Sequence, residues 1–359
     1  MVFGYQRALD GLRGVAILAV LLKHFQDVLP GGFLGVDVFF VLSGYLITQI
    51  LLKDLETNNR IRFGNFYLRR TRRLLPALIG MLVLSGLVWN ISSSSYSFIR
   101  SAISVLCYYA NWASSYRTLR EMGPNVHAWS LSIEEQFYLV WPILFLIFLK
   151  ILPGRKAVAR MVFIAIGLLM VTRALLYNAE SPLGGYFSTL ARADALLMGC
   201  GFAILPHSTQ EEFWNGRKGK LVAWSCAFTL LAFCWGLKGI SDFLLLGGFT
   251  VIAVYAAAVI MHVVSAPNGA MARALGSNWL VEVGKRSYGI YLYHLPIFMT
   301  FDHLIENGMN SDIANILKVA LTVIVSWLSY KYLETPFLRK NQVPKQPSVF
   351  TTPASPAAA

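Results

Sequence analysis

The sequence predicts an all-α, polytopic integral membrane protein of about ten transmembrane helices, and three observations predict it. Of the 359 residues, 56% are hydrophobic and only 14% charged, against about 25% charged in an average soluble domain, and mean hydropathy is +0.56. Apolar stretches of the length needed to cross a bilayer, about 20 residues, recur along the whole chain. The basic residues gather in alternate short connections between those stretches, the asymmetry that orients helices during insertion.

The stretches run at about 10–28, 34–52, 75–92, 136–151, 160–177, 187–205, 220–237, 242–262, 286–304 and 313–333. No small-residue cleavage site follows the first, so it reads as a retained helix rather than a signal peptide. With the N-terminus inside, 22 of the 31 basic residues fall in inner connections, 4 in outer ones and 5 within helices. That bias places both termini on the cytoplasmic side. Residues 98–112 hold Arg100, Tyr108, Tyr109 and Asn111. An eleventh crossing there inverts every later connection, so the piece reads as amphipathic or re-entrant within the large outer loop, about 93–135. Trp112 and Trp129 in that loop read as interface anchors or as a saccharide-binding rim. Residues 1–341 form one transmembrane domain. The Pro, Ser, Thr and Ala-rich end, 342–359, reads as a disordered tail.

The net charge of +13 does not indicate nucleic acid, because the charges sit in short loops at apolar boundaries, where they orient the chain and attract anionic lipid. The four cysteines, Cys107, Cys200, Cys226 and Cys234, form no C-x-x-C pair and suggest neither a metal site nor a disulfide framework.

Ionisable residues inside apolar stretches are costly and therefore mark candidate sites. His24 lies toward the outer end of the first stretch, with Arg13 eleven positions earlier. At helical pitch the two share nearly one face, roughly 16 Å apart. An imidazole there suits acid–base chemistry; the plainer account is a topology anchor and a packed polar group. The run Gly35-Val36-Asp37-Val38-Phe39-Phe40-Val41-Leu42-Ser43-Gly44-Tyr45 brings Asp37 to the outer entry of the second stretch, across a Pro30-Gly31-Gly32 turn from His24. A carboxylate so placed can orient the imidazole, or simply cap the helix. Ser43 and Gly44 are small enough for close helix approach.

Arg69, Arg70, Arg72 and Arg73 put four guanidiniums in five positions of an inner loop. Their forks match phosphate oxygens, although topology and anionic lipid account for such charge equally well. In His127-Ala128-Trp129-Ser130-Leu131-Ser132-Ile133-Glu134-Glu135-Gln136-Phe137-Tyr138, Ser130 or Ser132 can cap the fourth helix with the glutamates in its first turns. Capping does not explain two carboxylates at an apolar helix in a chain with 18 acids. Arg192 and Asp194, two apart on the sixth stretch, point to different faces, so each pairs with another helix. Tyr291 and His294 share a face of the ninth stretch at i, i+3.

These blocks, in this order from about residue 5 to 340, resemble the acyltransferase 3 family of membrane O-acyltransferases. The matching pieces are Arg13 with His24, GVDVFFVLSGYLIT, FYLRRTRRLLPAL, HAWSLSIEEQFYLVWP, RADALLMG, SYGIYLYH and YLETPFLR. The resemblance implies ten helices in a bacterial inner membrane and an acyl-CoA donor, usually acetyl-CoA, with no permanently bound cofactor. The acceptor is a hydroxyl of a surface glycan or lipid-linked saccharide. It implies that His24 is the residue the chemistry depends on, as general base or as acyl carrier, with Asp37 or Glu134 orienting it. It further implies that Arg13, Arg70, Arg72, Arg73 and Ser43 serve the donor. Glu135, Trp129, Arg192, Asp194, Tyr291 and His294 remain as acceptor or supporting residues. Many members carry an additional SGNH hydrolase-like domain; a chain ending about 25 residues past the last stretch resembles the stand-alone kind. His24-Phe25-Gln26-Asp27 is not the H-x-x-x-x-D motif of glycerolipid acyltransferases, because Asp27 is three positions on. The competing readings are a glycan or lipid transporter and a non-catalytic partner of a polysaccharide synthase.

Overall fold

A computed structural model describes residues 4–91, 97–116, 122–175, 177 and 182–339; the expected disordered tail lies outside the described residues. Among them the chain is helical throughout, with no strand. Each of the ten apolar stretches forms a helix: α1 (Arg7–His24), α2 (Gly35–Asn58), α3 (Phe63–Val88), α4 (Ala128–Ile151), α5 (Arg155–Leu175), α6 (Thr189–Ile204), α7 (Arg217–Gly236), α8 (Phe249–Ser265), α9 (Ser287–Glu306) and α10 (Ser311–Ser329).

Seven described helices are long and apolar enough to cross a membrane: those carrying α2, α3, α4, α5, α7, α8 and α10. The count of ten crossings therefore exceeds what length and apolarity support. The three that fall short are α1, which carries Asp10, Arg13, Lys23 and His24, the 16-residue α6, and α9, interrupted by Tyr291, Tyr293 and His294.

Two boundaries differ from the sequence-based expectation. The arginine run is not a loop: α3 begins at Phe63 and carries Arg69 to Arg73 on its early turns, as the good helix propensity of arginine permits. α4 begins at Ala128 rather than near 136, so Ser130 and Ser132 lie within it and do not cap its N-terminus; Ser132 Oγ accepts from the Ala110 N–H of the outer-loop piece at 3.1 Å. The same hydroxyl donates back to the carbonyl of Ala128 at 3.1 Å. The outer-loop piece is split into Phe98–Leu106 and Ala110–Tyr116, broken at Tyr108, whose φ is +53°. Neither half is long enough to cross a bilayer.

The heart of the bundle is the seam between α2 and α6. A Cβ on Gly44 stands 1.8 Å from the Leu196 carbonyl oxygen, and one on Gly199 stands 1.9 Å from that of Val41. Neither backbone can be approached by a larger residue without separating the helices. This is the small-residue packing that replaces hydrophobic drive inside lipid. The faces turned away from the seam carry exposed apolar side chains such as Leu87, Leu139, Leu168, Leu221 and Ile316.

Candidate active site

A cavity of about 490 Å³ opens near the arginine-rich end of the bundle, within the ordinary size range of ligand sites. α1 contributes Arg13, α2 contributes Ser43, α3 contributes Arg69, Arg70 and Arg73, and α4 contributes Ser130, Glu134 and Tyr138. α9 closes the deep end with Tyr291. Val36, Phe39, Leu46, Ile47 and Ile50 form an apolar wall along α2. Arg69, Arg70 and Arg73 share one side of α3 at i, i+1 and i+4, whereas Arg72 is turned past that side and does not line the cavity. Of the arginines that the resemblance assigns to the donor, Arg72 thus falls outside the cavity lining, while Arg69, named with them in the same run, lies within it.

Four guanidiniums face one lining carboxylate, Glu134. Arg70 is the most constrained: Nη2 donates to Glu135 Oε1 at 3.0 Å, and the guanidinium lies 3.4 Å over the Tyr138 ring. Ser43 Oγ donates to Glu134 Oε1 at 2.8 Å. Arg13 approaches Asp10 only to 3.7 Å. Among the described residues no carboxylate stands within ion-pair distance of Arg69 or Arg73. Surplus positive charge in a half-enclosed space selects an anionic ligand, and planar guanidiniums select phosphate or carboxylate oxygens.

The cavity stops at a polar wall. Tyr291 donates to the carbonyl of His127 at 2.8 Å, so Ser130 is the donor in its 2.6 Å bond to the same phenol. Behind the phenol stand His127, with ring centroids 5.3 Å from Tyr291, and His294, at 5.7 Å. His294 in turn packs 5.0 Å from His24. His24 therefore does not line the cavity; two layers of rings lie between. It is not sealed either, because it stands exposed at the end of α1. Its Nδ1 lies 2.9 Å from the carbonyl oxygen of Val20. A carbonyl only accepts, so Nδ1 carries the proton and Nε2 holds a lone pair.

The expected pairing of Asp37 with His24 is not formed. Asp37 accepts from Arg192 Nη2 at 2.7 Å, both side chains buried, because α2 presents its first turn to α6 and not to the end of α1. Glu134 is likewise held on the cavity side by Ser43, away from the imidazole it was expected to orient. Asp194 accepts from Arg173 at 2.8 Å and from Thr250 at 2.5 Å, so Arg192 and Asp194 do serve different neighbours. The Arg192 guanidinium stacks 3.8 Å over Phe249. Trp129 is neither anchor nor rim: it is buried in the first turn of α4 against Phe40, Tyr186 and Phe187.

The site residues that the sequence does not single out are Ser130, Tyr138 and His127. Each lies inside a recognisable block, and the missing information is only which side of its helix faces inward. Among the described residues no cluster of His, Cys, Asp or Glu could hold a metal.

The chain is 36% identical over 353 residues to the peptidoglycan O-acetyltransferase OatA of Listeria monocytogenes, covering 94% of this chain and 56% of that protein. It is 34% identical over 350 residues to the putative peptidoglycan O-acetyltransferase YrhL of Bacillus subtilis, covering 92% and 55%. It is 32% identical over 354 residues to a putative O-acetyltransferase of Staphylococcus aureus, covering 94% and 58%. The chain thus spans little more than half the length of these relatives. No solved structure matches it. Residues 6–331 match the family described as an acyltransferase domain, and the chain belongs to the acyltransferase 3 family.

Proposed function

We propose that the chain is a multi-pass O-acetyltransferase of the bacterial inner membrane, with both termini cytoplasmic. It takes an acetyl group from cytoplasmic acetyl-CoA and transfers it to a hydroxyl of a saccharide on the far side. Peptidoglycan, named for two of the relatives, is the favoured acceptor. The observation that carries this reading is the cavity in which four guanidiniums meet one carboxylate and whose deep end abuts a cluster of imidazoles. A purely structural role requires neither part.

In this reading Arg13, Arg69, Arg70 and Arg73 hold the nucleotide phosphates of the donor. The pantetheine arm lies along the apolar wall of α2 and brings the thioester to Ser130 and Tyr291. The acceptor hydroxyl enters from the opposite end, where His24 is exposed. The two substrates meet once the Tyr291 ring turns out of the wall. His24 Nε2 then takes the hydroxyl proton as general base, or carries the acyl group between the two sides.

The test is acetyl-CoA consumption by vesicles containing the full chain, followed with radiolabelled donor. General base catalysis contributes about 10²–10⁴-fold, so His24→Ala loses that much turnover while still inserting. Wild-type turnover in that variant would falsify the assignment of the chemistry to His24.

A further inference from the structure

Adjacent residues of a helix are turned about 100° apart, so two neighbouring glutamates serve different sides. On α4 the two carboxylates part in this way. Glu134 lines the cavity and accepts from Ser43. Glu135 does not line it. Its carboxylate meets Arg70 instead, accepting from Nη2 at 3.0 Å.

Glu135 and Tyr138 stand one turn apart, at i and i+3, on one side of α4. Together they form a socket for a single guanidinium: the carboxylate takes Nη2, and the ring centroid lies 3.4 Å from the guanidinium carbon. One turn earlier on α3, Tyr67 donates to the Leu139 carbonyl at 3.0 Å and sets the two helices against each other. The bond to Glu135 is the one hydrogen bond that Arg70 makes among the described residues, and its Nε is buried without a partner. An arginine held on two sides is ordered before its ligand arrives. A free one is ordered by the ligand, at a cost in affinity.

We propose that Glu135 is a positioning residue for the donor: by holding Nη2 it keeps the Arg70 guanidinium on the Tyr138 ring and presents it to the nucleotide phosphates. The inference rests on the reading of the cavity as the acetyl-CoA site, and it places Glu135 with the donor rather than the acceptor. The sign of its effect separates positioning from charge. As a negative charge alone, Glu135 weakens the attraction of the cavity for phosphate. As a positioning group it strengthens the hold.

Two conservative substitutions take these roles apart. Glu135→Gln keeps an oxygen where Nη2 needs one and removes the charge. Glu135→Asp keeps the charge and draws the carboxylate back by one methylene, away from Nη2. Each is assayed as the full chain in vesicles, beside wild type and Arg70→Ala, with acetyl-CoA and with S-acetylpantetheine, which carries the thioester but no phosphate. The quantity compared is the donor preference, kcat/KM for acetyl-CoA divided by kcat/KM for S-acetylpantetheine, which a general loss of folded protein leaves unmoved. It is expected to fall about tenfold in Glu135→Asp, the order of effect of leaving one rotamer-rich side chain to be ordered by the ligand, and to stay within about threefold of wild type in Glu135→Gln. In the Arg70→Ala background Glu135→Asp lowers it no further, because the two residues act as one unit. A wild-type preference in Glu135→Asp overturns the proposal, as does an equal loss in Glu135→Gln or a further loss of the same size in the Arg70→Ala background. If Glu135→Asp does not insert, Glu135→Ala takes its place with the same expectation. If Arg70→Ala itself keeps the wild-type preference, the reading of the cavity as the phosphate site falls as well. If Arg70→Ala lowers the preference while Glu135→Asp does not, only the positioning role falls.

Discussion

Two sets of arginines lie within this helical bundle, and they settle their charge in opposite ways. Arg173 and Arg192 are sealed, each matched to one carboxylate. Arg173 is fully satisfied: it donates to the carbonyls of Leu245 and Ala191 and to Thr250 as well as to Asp194. Arg192 adds aromatic faces at Phe249 and Tyr186. Arg13, Arg69, Arg70 and Arg73 instead face a cavity in which guanidiniums outnumber carboxylates. An intramembrane charge is by default a functional candidate, and the contrast shows how to divide the candidates. A charge that the fold itself neutralises holds helices together, and one left in surplus at a cavity awaits a ligand of opposite sign.

The sharpest way to break the comparison is to treat a sealed arginine as though it were a binding one. Arg192→Ala strands the Asp37 carboxylate at the α2–α6 seam, and removing one partner of a buried pair costs about 3–5 kcal/mol. The expected outcome is a large fall in the unfolding temperature of the detergent-solubilised protein and little folded material. Replacing both partners by leucine restores most of that loss, because no charge is left uncompensated. If Arg192→Ala unfolds like wild type and fails only in donor turnover, the division into two sets is wrong.

The opposite test is milder. Arg69→Ala and Arg73→Ala remove charge from a site that the described carboxylates do not neutralise, so stability stays within about 0.5 kcal/mol. Loss of one charge-assisted phosphate contact, about 1.5–3 kcal/mol when desolvated and less at an open mouth, raises the donor KM about tenfold with kcat preserved. Raising ionic strength has the same direction of effect, because attraction at an accessible charged mouth is screened. A KM for acetyl-CoA that ignores both the substitutions and the salt removes the cavity from the account of donor binding.

Much of this contrast is legible in the amino-acid sequence. The ten apolar stretches each fall on a helix, seven of them among the described residues long and apolar enough to cross a membrane, because lipid forces every backbone polar group into internal hydrogen bonds. The two-residue spacing of Arg192 and Asp194 already requires separate partners, and Arg173 and Asp37 supply them. What cannot be read is which partner each charge finds across the bundle. The short turn after α1 makes Asp37 a plausible neighbour of His24, but the close backbone contact at Gly44 and Gly199 fixes α2 against α6 and turns Asp37 toward Arg192. Nor can the sequence show that the cavity stops short of His24, since His127 comes from a different segment from Tyr291 and His294, and the registry between the two is set only by packing. Where a polar run reads as a loop, at the arginines of α3 and at Trp129 and Ser130 of α4, a helix simply begins earlier than its apolar part. Reading the arginine run as a loop also groups Arg72 with its neighbours, since a loop has no inward side.

Arg72 gives the smallest and most discriminating expected effect. It sits between Arg70 and Arg73 in sequence and has the same charge, so an account based on net positive charge predicts the same loss for Arg72→Ala as for Arg73→Ala. Helical geometry predicts otherwise. Arg69 and Arg73 are one turn apart on the side of α3 that faces the cavity, whereas Arg72 is turned past that side and lies outside the lining. A phosphate held by Arg73 senses Arg72 only through solvent, where unit charges several ångströms apart interact by less than about 1 kcal/mol. Arg72→Ala is therefore expected to change the KM for acetyl-CoA less than twofold in the assay where Arg73→Ala changes it about tenfold. Equal shifts for the two would mean that the donor reads the charge of the whole run and not the side of the helix that carries it.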